Sequence, residues 1–393
     1  MLNSRRVWVE IDLPQLCENY RRIARAVAPC RVLAVLKANA YGLGVEPVAR
    51  ALAQRGTGLR PVQDEKRGIG LRPVQETKIS FGVAEPHEAA QLLPLGKRVH
   101  LLSAVLPDEI EDMVRGNVTL PATDLETARL ISAAACQLNR VATVHCKIDT
   151  GMGRLGILAG NAAETVRKIA KLPGLRLEGI FTHFPAAYEP EHPHTQQQVA
   201  TFLTLLETLR SGGIAFDLVH AANSDAINNL PRAFQPPFNL VRAGLNLHGS
   251  FDPAGARNLD LRPVLTLKTC LAAVRTLPAG HPVGYGLTYR APTAMRVGTI
   301  SAGYADGLPL ALSNRGFVRV HGASCPVLGR VSMDYTTVSL ESVPHAHVGD
   351  EVVCLGSSPG APTIEDWAAL KQTHPYEIIC SLGNRVQRVY KTQ

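Results

Sequence analysis

The chain has 393 residues, of which 46% are hydrophobic and 19% are charged, a balance typical of a globular protein and not of a disordered one. Its length exceeds the size at which one hydrophobic core stops growing, so we expect one large domain and a smaller one. No apolar run approaches the roughly 18 residues of a membrane span. The net charge of +8 is spread along the sequence without a basic stripe, which argues against nucleic-acid binding.

The cysteines and the N-terminal residues predict the compartment. The segment MLNSRRVWVEIDL has no apolar core of the kind that signal peptides carry. Eight cysteines are scattered along the chain, and none forms a C-x-x-C pair. We therefore expect a cytoplasmic protein with reduced thiols, no structural zinc and no disulfide framework.

The predicted elements alternate between strand and helix over the first 250 residues. Asp12 is placed to cap a first helix, with Pro14 in its first turn. Short apolar runs then predict strands at residues 31–36, 79–84, 98–103, 117–121, 141–147, 176–181, 216–219 and 239–243. Apolar residues at helical spacing predict helices between them, for example at residues 125–138, 162–171 and 195–210.

This alternation decides the expected fold class, which is α/β. Eight strands over roughly 240 residues fit an N-terminal (β/α)8 barrel of the TIM type. An open doubly wound sheet is the alternative, but the sequence lacks the G-x-G-x-x-G turn that often begins one. After residue 250, Pro and Gly separate β-rich runs at residues 264–275, 297–302, 317–321, 331–340 and 351–355. We predict a barrel over residues 1–255 and a mostly β domain over 256–393, with strand 7–11 assignable to either.

One segment interrupts the alternation. GTGLRPVQDEKR, residues 56–67, is followed by GIGLRPVQETKI, residues 68–79, and eight of the twelve positions are identical. Two copies are too few for a solenoid, which needs about three repeats. We interpret the tandem duplication 56–79 as an insertion in a surface loop, where added length costs little loop entropy.

Cationic side chains follow several of the predicted strands. The polar residues at these strand ends are Lys37, Lys147, His183, His220, Asn223, Ser224 and Arg242. In a barrel, the carboxyl ends of the strands meet at the face that carries the active site. Two lysines, a histidine and an arginine with few acids nearby predict an electropositive mouth that holds an anion.

The loops after strands seven and eight suggest that this anion is a phosphate. Ser224 is placed to cap a helix that begins at Asp225, and Gly244 allows a backbone N–H to approach closely. A plain helix cap and a plain turn are the alternatives. Desolvation and neighbouring cations would lower the pKa of Lys37, and a neutral lysine can form an imine with an aldehyde. A phosphorylated aldehyde in a cationic pocket points to pyridoxal phosphate, with a structural lysine or a phosphate-binding lysine left open.

Eight short motifs of the sequence resemble those of a known family. The stretches AVLKANAYGLG, KIDTGMGRLG, THF, AANS, VRAG, GYGLTY, GYADG and GRVSMD occur in the order found in the alanine racemase family, which this sequence resembles over nearly its whole length. The resemblance implies a pyridoxal-phosphate barrel, a C-terminal β domain and a head-to-tail homodimer with shared active sites. It implies interconversion of L- and D-alanine, which supplies D-alanine for peptidoglycan.

The resemblance also implies a role for individual residues. Catalysis is assigned to Lys37, Tyr285, Arg242 and His183. Cofactor binding is assigned to Lys37, Tyr41, Arg154, Ser224, Arg242, Gly244 and Leu245. Substrate binding is assigned to Arg154 and Met333, and a supporting role to Lys147, Asn223, Tyr304 and Asp334. No residue is assigned to a metal.

Two bases on opposite faces of the substrate α-carbon would move the proton. Lys37 would hold the cofactor covalently and act as one base, and Tyr285 of the partner subunit would act as the other. His183 would link Arg242 to Tyr285, while Arg242 would face the pyridine nitrogen and, being always protonated, would not give it a proton.

The remaining implied roles concern the substrate and the entrance. Arg154 would lie near the substrate carboxylate, and Met333 of the partner would add its backbone N–H. Lys147 matches a position often carbamylated in the family, where the carbamate orients that arginine. Asn384 and His248 stand where relatives often have tyrosine, and the shorter Asn384 side chain would widen the entrance for serine or larger amino acids.

Other interpretations stay open. Tyr285 and Tyr304 are also typical of core or interface positions, and Met333 of a core position. His183, with His192 and His194 nearby, suggests a metal site, although HFPAAYEPEHPH lacks ligand-type spacing on one face. The rival functions are an amino-acid decarboxylase on the same barrel, a non-catalytic pyridoxal-phosphate carrier, which would lack the β domain, and a simple anion-binding protein.

Overall fold

The computed structural model describes residues 6–55 and 79–392. The tandem duplication, apart from its last residue Ile79, lies outside the described residues. Within the described ranges, no helix has both the length and the apolar character needed to cross a bilayer.

The described part of the chain contains eight parallel strands that form a closed barrel. Numbered barrel strands 1 to 8, they are Arg31–Val35, Ser80–Val83, Arg98–Leu101, Leu120–Ala122, Ala142–Asp149, Leu175–Phe181, Leu218–His220 and Leu240–Ala243. Hydrogen-bonded ladders join strands 8-1-2-3 and strands 4-5-6-7. A bridge between His100 and Thr119 joins strands 3 and 4, and the Asn239 N–H donates to the Val219 carbonyl at 3.0 Å between strands 8 and 7. The predicted barrel is confirmed.

Helices connect these strands. They span Leu13–Ala26, Val45–Arg55, Pro86–Leu92, Ile110–Arg115, Leu125–Gln137, Ala159–Ile169, Pro193–Ser211 and Ser224–Asn229, with 3-10 turns at Leu93–Leu95, Pro231–Phe234 and Leu245–His248. The first helix begins as predicted, because an Asp12 carboxylate oxygen accepts the Gln15 N–H at 2.7 Å. Its stripe of Leu16, Tyr20 and Ile23 is buried, and each side chain contributes about 1.5–3 kcal/mol of transfer free energy.

The C-terminal part is built around an eight-stranded sheet. Its strands are Val7–Asp12, Leu265–Leu277, Met295–Ile300, Phe317–Val320, Ala323–Leu328, Thr336–Ser339, Glu351–Gly356 and Gln387–Lys391. A further pairing of Leu265–Leu277 with Met295–Ile300 closes six of these strands into a ring. The N-terminal strand lies in this sheet, antiparallel to Leu265–Leu277 and parallel to Gln387–Lys391. The boundary at residues 255 and 256 stays a prediction.

Smaller elements complete the architecture. Two-residue strands lie at Ile157–Leu158, Pro282–Val283 and Tyr289–Arg290, 3-10 turns at Tyr285–Leu287, Tyr304–Asp306 and Leu310–Leu312, and helices at Ile364–Lys371 and Pro375–Cys380. The two helices and the strands Ala323–Leu328 and Gln387–Lys391 were not predicted from the sequence.

The predicted strand over residues 331–340 was wrong in its first half, since only Thr336–Ser339 is a strand. The Tyr335 N–H donates to the hydroxyl of Ser332, which donates to the Tyr335 carbonyl at 2.7 Å and closes a turn. Arg385 then fixes the loop through ion pairs to Asp306 and Asp334. Local side-chain hydrogen bonds therefore outweigh the apolar pattern at this point.

Candidate active site

Lys37 follows barrel strand 1 after a single residue, Leu36, and therefore lies at the carboxyl end of the barrel. The next four residues, Ala38 to Tyr41, all have φ between 53° and 56° and form a left-handed turn. Such a conformation costs roughly 1–2 kcal/mol for each residue that is not glycine. The turn is held by Glu88, whose carboxylate accepts the Asn39 N–H at 3.1 Å, and by Arg388, which donates to the Gly42 carbonyl at 3.1 Å. Strain of this kind clusters at functional sites.

Positive charge surrounds the lysine. The protein desolvates its ammonium group and thereby lowers the pKa of Lys37, and Arg154 and Arg242 lower it further. Burial is also the main cause that lowers the pKa of Lys147 to about 7, with contributions from Arg242, Arg154 and Lys37. The structure thus brings together four of the cations that the sequence placed at strand ends and in the GMGR loop.

Arg242 is the best-connected side chain of the mouth. It is buried, and its guanidinium donates to the carbonyls of Thr182 and Ala221 at 2.8 and 2.9 Å. It also donates to Nδ1 of His220 at 2.9 Å and to Nδ1 of His183 at 3.3 Å. Arginine has no acceptor, so both Nδ1 atoms carry lone pairs and each neutral imidazole has its proton on Nε2. Burial, followed by the charge of Arg242, lowers the pKa of both histidines well below the usual range.

The loop that carries Arg154 is shaped by one carboxylate. Asp149 accepts the N–H groups of Gly151 and Met152 at 2.8 Å and that of Gly153 at 2.9 Å. Burial alone would raise the pKa of Asp149, but these hydrogen bonds and that of the Arg154 N–H lower it overall. Gly151 and Gly153 have φ of 138° and 69°, which side chains with a Cβ rarely adopt. The turn sets Arg154 at the mouth beside the lysines.

Ser224 lies at the predicted phosphate loops, but it is not the helix cap. Asn223 caps the helix Ser224–Asn229 by accepting the Ala226 N–H at 3.0 Å. The Ser224 hydroxyl instead accepts the Gly244 N–H at 3.0 Å, which ties the loops after strands 7 and 8 together. The predicted cap at Ser224 was wrong by one residue, because the helix begins at Ser224 itself and Asn223 therefore stands at the N-cap position.

The groups at these two loops form what we call the Ser224 cradle: the hydroxyls of Ser224, Tyr41 and Tyr376 and the N–H groups of Gly244 and Leu245. Tyr376 was not predicted from the sequence. The phenol of Tyr376 lies close to the Ser224 hydroxyl and to the Leu245 N–H. Its ring centre lies 5.5 Å from that of Tyr41, whose phenol oxygen occupies the space in which a Cβ on Gly244 would stand. No local pattern marks Tyr376, because it comes from a helix of the C-terminal part and is more than a hundred residues away in sequence.

The residues expected from a partner subunit lie on the surface. Exposure is 72% for Tyr285, 47% for Tyr304 and 52% for Met333, so the core alternatives for these residues were wrong. Asp334 is paired with Arg385 at 2.7 Å. Among the described contacts, none brings Tyr285 or Met333 to Lys37 of the same chain.

The histidines proposed as an alternative metal site do not converge. His183 faces Arg242, His192 accepts the His194 N–H at the start of helix Pro193–Ser211, and His194 Nε2 donates to the Gly151 carbonyl at 2.8 Å. Across residues 6–55 and 79–392, no cluster of His, Cys, Asp and Glu is arranged to hold a metal ion.

The two departures from the family pattern also have defined places. Asn384 is exposed on the loop before strand Gln387–Lys391. His248 is fully buried, and its ring meets that of Tyr41 edge-on with 5.0 Å between centres. Neither ring nitrogen of His248 has a hydrogen-bond partner among the described residues.

Two domains of a known protein family match the sequence. The alanine racemase N-terminal domain matches residues 11–72 and 62–252, two matches that overlap within the tandem duplication, and the alanine racemase C-terminal domain matches residues 264–390. The chain belongs to the alanine racemase family. Relatives in this family include the alanine racemase of Syntrophobacter fumaroxidans, 38% identical over 96% of this chain and 95% of that protein, and that of Desulforamulus reducens, 35% identical over 98% of both chains.

Solved alanine racemase structures share the whole fold. That of Streptomyces lavendulae superposes with a TM-score of 0.87 at 32% identity, covering 100% of this chain and 98% of the other. The alanine racemase of Bartonella henselae, whose structure has covalently bound pyridoxal phosphate, gives a TM-score of 0.83 at 28% identity over 99% and 100% of the two chains.

Proposed function

We propose that the protein is a pyridoxal-phosphate-dependent racemase that interconverts L- and D-alanine and supplies D-alanine for peptidoglycan. The observation that carries this proposal is the placement of Lys37, with its lowered pKa, at a barrel mouth shared with Arg154 and Arg242 and with the Ser224 cradle. We further propose that it acts in the cytoplasm, which the eight free cysteines of the described chain support.

The residues present fit this cofactor. The cradle brings the N–H groups of Gly244 and Leu245 together with the hydroxyls of Ser224, Tyr41 and Tyr376, and a Cβ on Gly244 would collide with the phenol oxygen of Tyr41, which approaches the backbone there. Such hydroxyl and N–H groups are the donors that a phosphate takes. Lys37 supplies the amine for the aldehyde. When bound, pyridoxal phosphate supplies an electron sink that weakens the covalent bond between the α-carbon of an amino acid and its hydrogen.

The proton is handled by two bases. Lys37 takes or returns a proton on one face of the α-carbon, and the partner subunit's Tyr285 does so on the other, so the substrate need not turn over. The exposure of the large apolar and aromatic side chains of Tyr285, Leu287, Leu310 and Met333 supports a surface that a second copy covers. We propose a head-to-tail homodimer in which each chain completes the other's site.

Arg242 and His183 set the charge around these bases. Because Arg242 donates to His183 Nδ1, the proton of that imidazole stands on Nε2 and can be donated to the phenol oxygen of Tyr285. Such a hydrogen bond stabilises the phenolate, which is the form able to accept a proton. We propose that Arg242 also faces the pyridine nitrogen, which it does not protonate, and that this suppresses side reactions that need a stronger sink.

Arg154 and Met333 hold the substrate. The Arg154 guanidinium pairs with the alanine carboxylate, to which the partner's Met333 adds a backbone N–H. Lys147 lies among cations, and its neutral amine can add carbon dioxide to give a carbamate and release one proton. The carbamate replaces a repulsive charge beside Arg154 by an attractive one and thereby orients it. Asn223, Tyr304 and Asp334 support the loops that carry these groups.

The decisive experiment follows the α-hydrogen. Purified protein is incubated with L-alanine in deuterated water, and exchange at the α-carbon and formation of D-alanine are measured together. The racemase exchanges the hydrogen and forms D-alanine, and borohydride bleaches its visible absorbance. A cofactor-loaded protein without exchange would be a carrier, and release of carbon dioxide from the substrate would indicate a decarboxylase.

A broader substrate range is the second candidate, and Asn384 favours it. Its short, exposed side chain leaves room where a tyrosine would narrow the entrance. We expect measurable turnover of serine alongside alanine, and a lower serine-to-alanine ratio in Asn384→Tyr. An unchanged ratio would mean that another residue limits the entrance.

A further inference from the structure

A line of buried polar groups runs through the barrel interior from Arg242. His220 Nδ1 accepts from Arg242 at 2.9 Å, and His220 Nε2 lies 3.0 Å from His145 Nδ1. His145 Nε2 lies 3.0 Å from a carboxylate oxygen of Glu178. Glu178 in turn receives both terminal nitrogens of Arg98, one of them at 2.8 Å. His145, Glu178, His220 and Arg242 are each at most 5% exposed, whereas barrel interiors are usually filled with branched apolar side chains.

The two ends of this line force the direction of every hydrogen bond. Ionised Glu178 only accepts, so His145 Nε2 carries a proton and Nδ1 does not. His220 must then donate from Nε2 to that bare nitrogen, which leaves its own Nδ1 as an acceptor. Arg242 only donates, and it fills this last acceptor. A single arrangement of protons satisfies the four residues, with all three bonds donated toward Glu178.

The surroundings favour neutral histidines and a charged carboxylate. Burial lowers the pKa of His145, and it lowers that of His220 well below the usual range. Burial alone would raise the pKa of Glu178, but hydrogen bonds from His145 and Arg98 outweigh it and lower that pKa to about 2. His100 and Phe181 also pack on the line, with ring centres 5.2 Å from His145 and 4.7 Å from His220. Arg176 adds a second ion pair to Glu178 at 3.3 Å.

Strand packing also reserves space for this line. A Cβ built on Gly179 would stand 2.7 Å from three atoms of the His145 ring, so only glycine lets the ring lie flat against strand 6. Glu178 is the adjacent residue on that strand, and Arg98 begins strand 3. Together with His220 on strand 7 and Arg242 on strand 8, five barrel strands (3, 5, 6, 7 and 8) therefore contribute to one hydrogen-bonded unit that ends beneath the barrel mouth.

We propose that Glu178 is a positioning residue for the reaction: through His145 and His220 it fixes the proton positions that hold Arg242. This inference rests on the proposed function for the role of Arg242 toward the cofactor. If His220 carried its proton on Nδ1, two N–H donors would face each other, and the Arg242 guanidinium would lose this hydrogen bond. The carboxylate prevents this from across the barrel, without touching substrate or cofactor.

The test reads the proton positions directly. Holoenzyme labelled with [15N]histidine is examined by solid-state NMR, with His145→Gln and His220→Gln used only to assign signals. Both rings are expected as neutral tautomers with the proton on Nε2 and an accepting Nδ1. A cationic ring, or a proton on Nδ1 of either one, would overturn the proposal even if the protein racemises alanine. Absence of racemisation with the expected tautomers would instead count against the proposed function alone.

Glu178→Gln then removes the charge and keeps an acceptor oxygen. We expect the Nε2 signals of His145 and His220 to move toward those of weaker hydrogen bonds, and kcat to fall on the order of tenfold with KM changed by less than about twofold. The matched control is Glu10→Gln, which removes an ion-paired carboxylate in the C-terminal sheet. If the Nε2 signals of His145 and His220 did not move in Glu178→Gln, and if its kcat equalled that of Glu10→Gln, the proposal would be contradicted.

Gly179→Ala provides a second route to the same readout. The added methyl group displaces the His145 ring but leaves the Glu178 carboxylate in place. The same shift of the His220 signal is expected. A His220 signal like that of the wild type, with a displaced His145 signal, would show that the two rings are independent and would overturn the proposal.

Discussion

The side-chain nitrogen of Lys147 lies 5.2 Å from the ring centre of Phe181, and the guanidinium of Arg242 lies 5.5 Å from the same ring centre. One aromatic face thus meets two cations in a buried space. Their mutual repulsion adds to the desolvation that brings the pKa of Lys147 to about 7. A lysine that is largely neutral at physiological pH is a nucleophile, and this relationship explains why Lys147 is suited to covalent modification.

The first prediction concerns a carbamate on Lys147. In buffer with 13C-labelled bicarbonate, a carbamate signal is expected near neutral pH and above. Because only the neutral amine adds carbon dioxide, the signal should decrease as pH falls below the pKa of about 7. Lys147→Met should lose the signal. The control Lys168→Met, which changes an exposed lysine paired with Glu164, should retain it. Equal signals in both variants would show that the carbamate lies elsewhere.

The second prediction separates the two bases. Tyr285→Phe removes the phenol oxygen but keeps the ring, so the proton on the face opposite Lys37 has no acceptor. Abstraction from L-alanine should slow by on the order of 10²-fold or more, the usual contribution of a general base, and abstraction from D-alanine far less. Deuterium exchange measured separately from each enantiomer provides the readout. Equal losses in both directions would contradict the two-base assignment.

The third prediction concerns Tyr376. Its phenol reaches Ser224 and the Leu245 N–H, and we expect it to share in binding the cofactor phosphate. Tyr376→Phe should weaken pyridoxal-phosphate binding about tenfold, since a hydrogen bond to a charged group is worth roughly 1.5–3 kcal/mol. The 31P signal of the bound cofactor should shift as well. Tyr20→Phe, which deletes the same atom in the barrel core, should change neither quantity.

The fourth prediction concerns the space at Gly244. A methyl group in Gly244→Ala would overlap the phenol oxygen of Tyr41 and push it away from the Ser224 cradle. Overpacking of this kind costs about 1–3 kcal/mol, and we expect cofactor affinity to fall by a corresponding factor of roughly ten to a hundred. Gly160→Ala adds the same methyl group in open space and should leave affinity unchanged. Fluorescence titration of the apoprotein with pyridoxal phosphate measures both.

Much of the fold follows from sequence pattern. The eight barrel strands were predicted within about three residues of their ends, because buried parallel strands are continuous apolar runs bounded by turn residues. The C-terminal part was less predictable. The stretch 331–340 has the composition of a strand, yet hydrogen bonds around Ser332 and the ion pairs of Arg385 hold its first half in a loop. These partners lie up to about fifty residues away and leave no local signal.

The candidate site divides in the same way. Lys37, Lys147 and Arg242 were visible in the sequence because each ends or lies within a barrel strand near the carboxyl face. The position of Tyr376 beside Ser224 was not visible, and neither was the pairing of Glu178 with His145, which joins the neighbouring barrel strands 5 and 6.

By itself, the sequence determined the alternation of strand and helix, the family motifs and the cations at the strand ends, since periodicity and motif order are properties of neighbouring residues. Only the tertiary structure decided which groups share protons. Hydrogen bonding depends on contacts of about 3 Å between residues that are tens to hundreds of positions apart, and only the closed barrel and the returning C-terminal helices bring those atoms together.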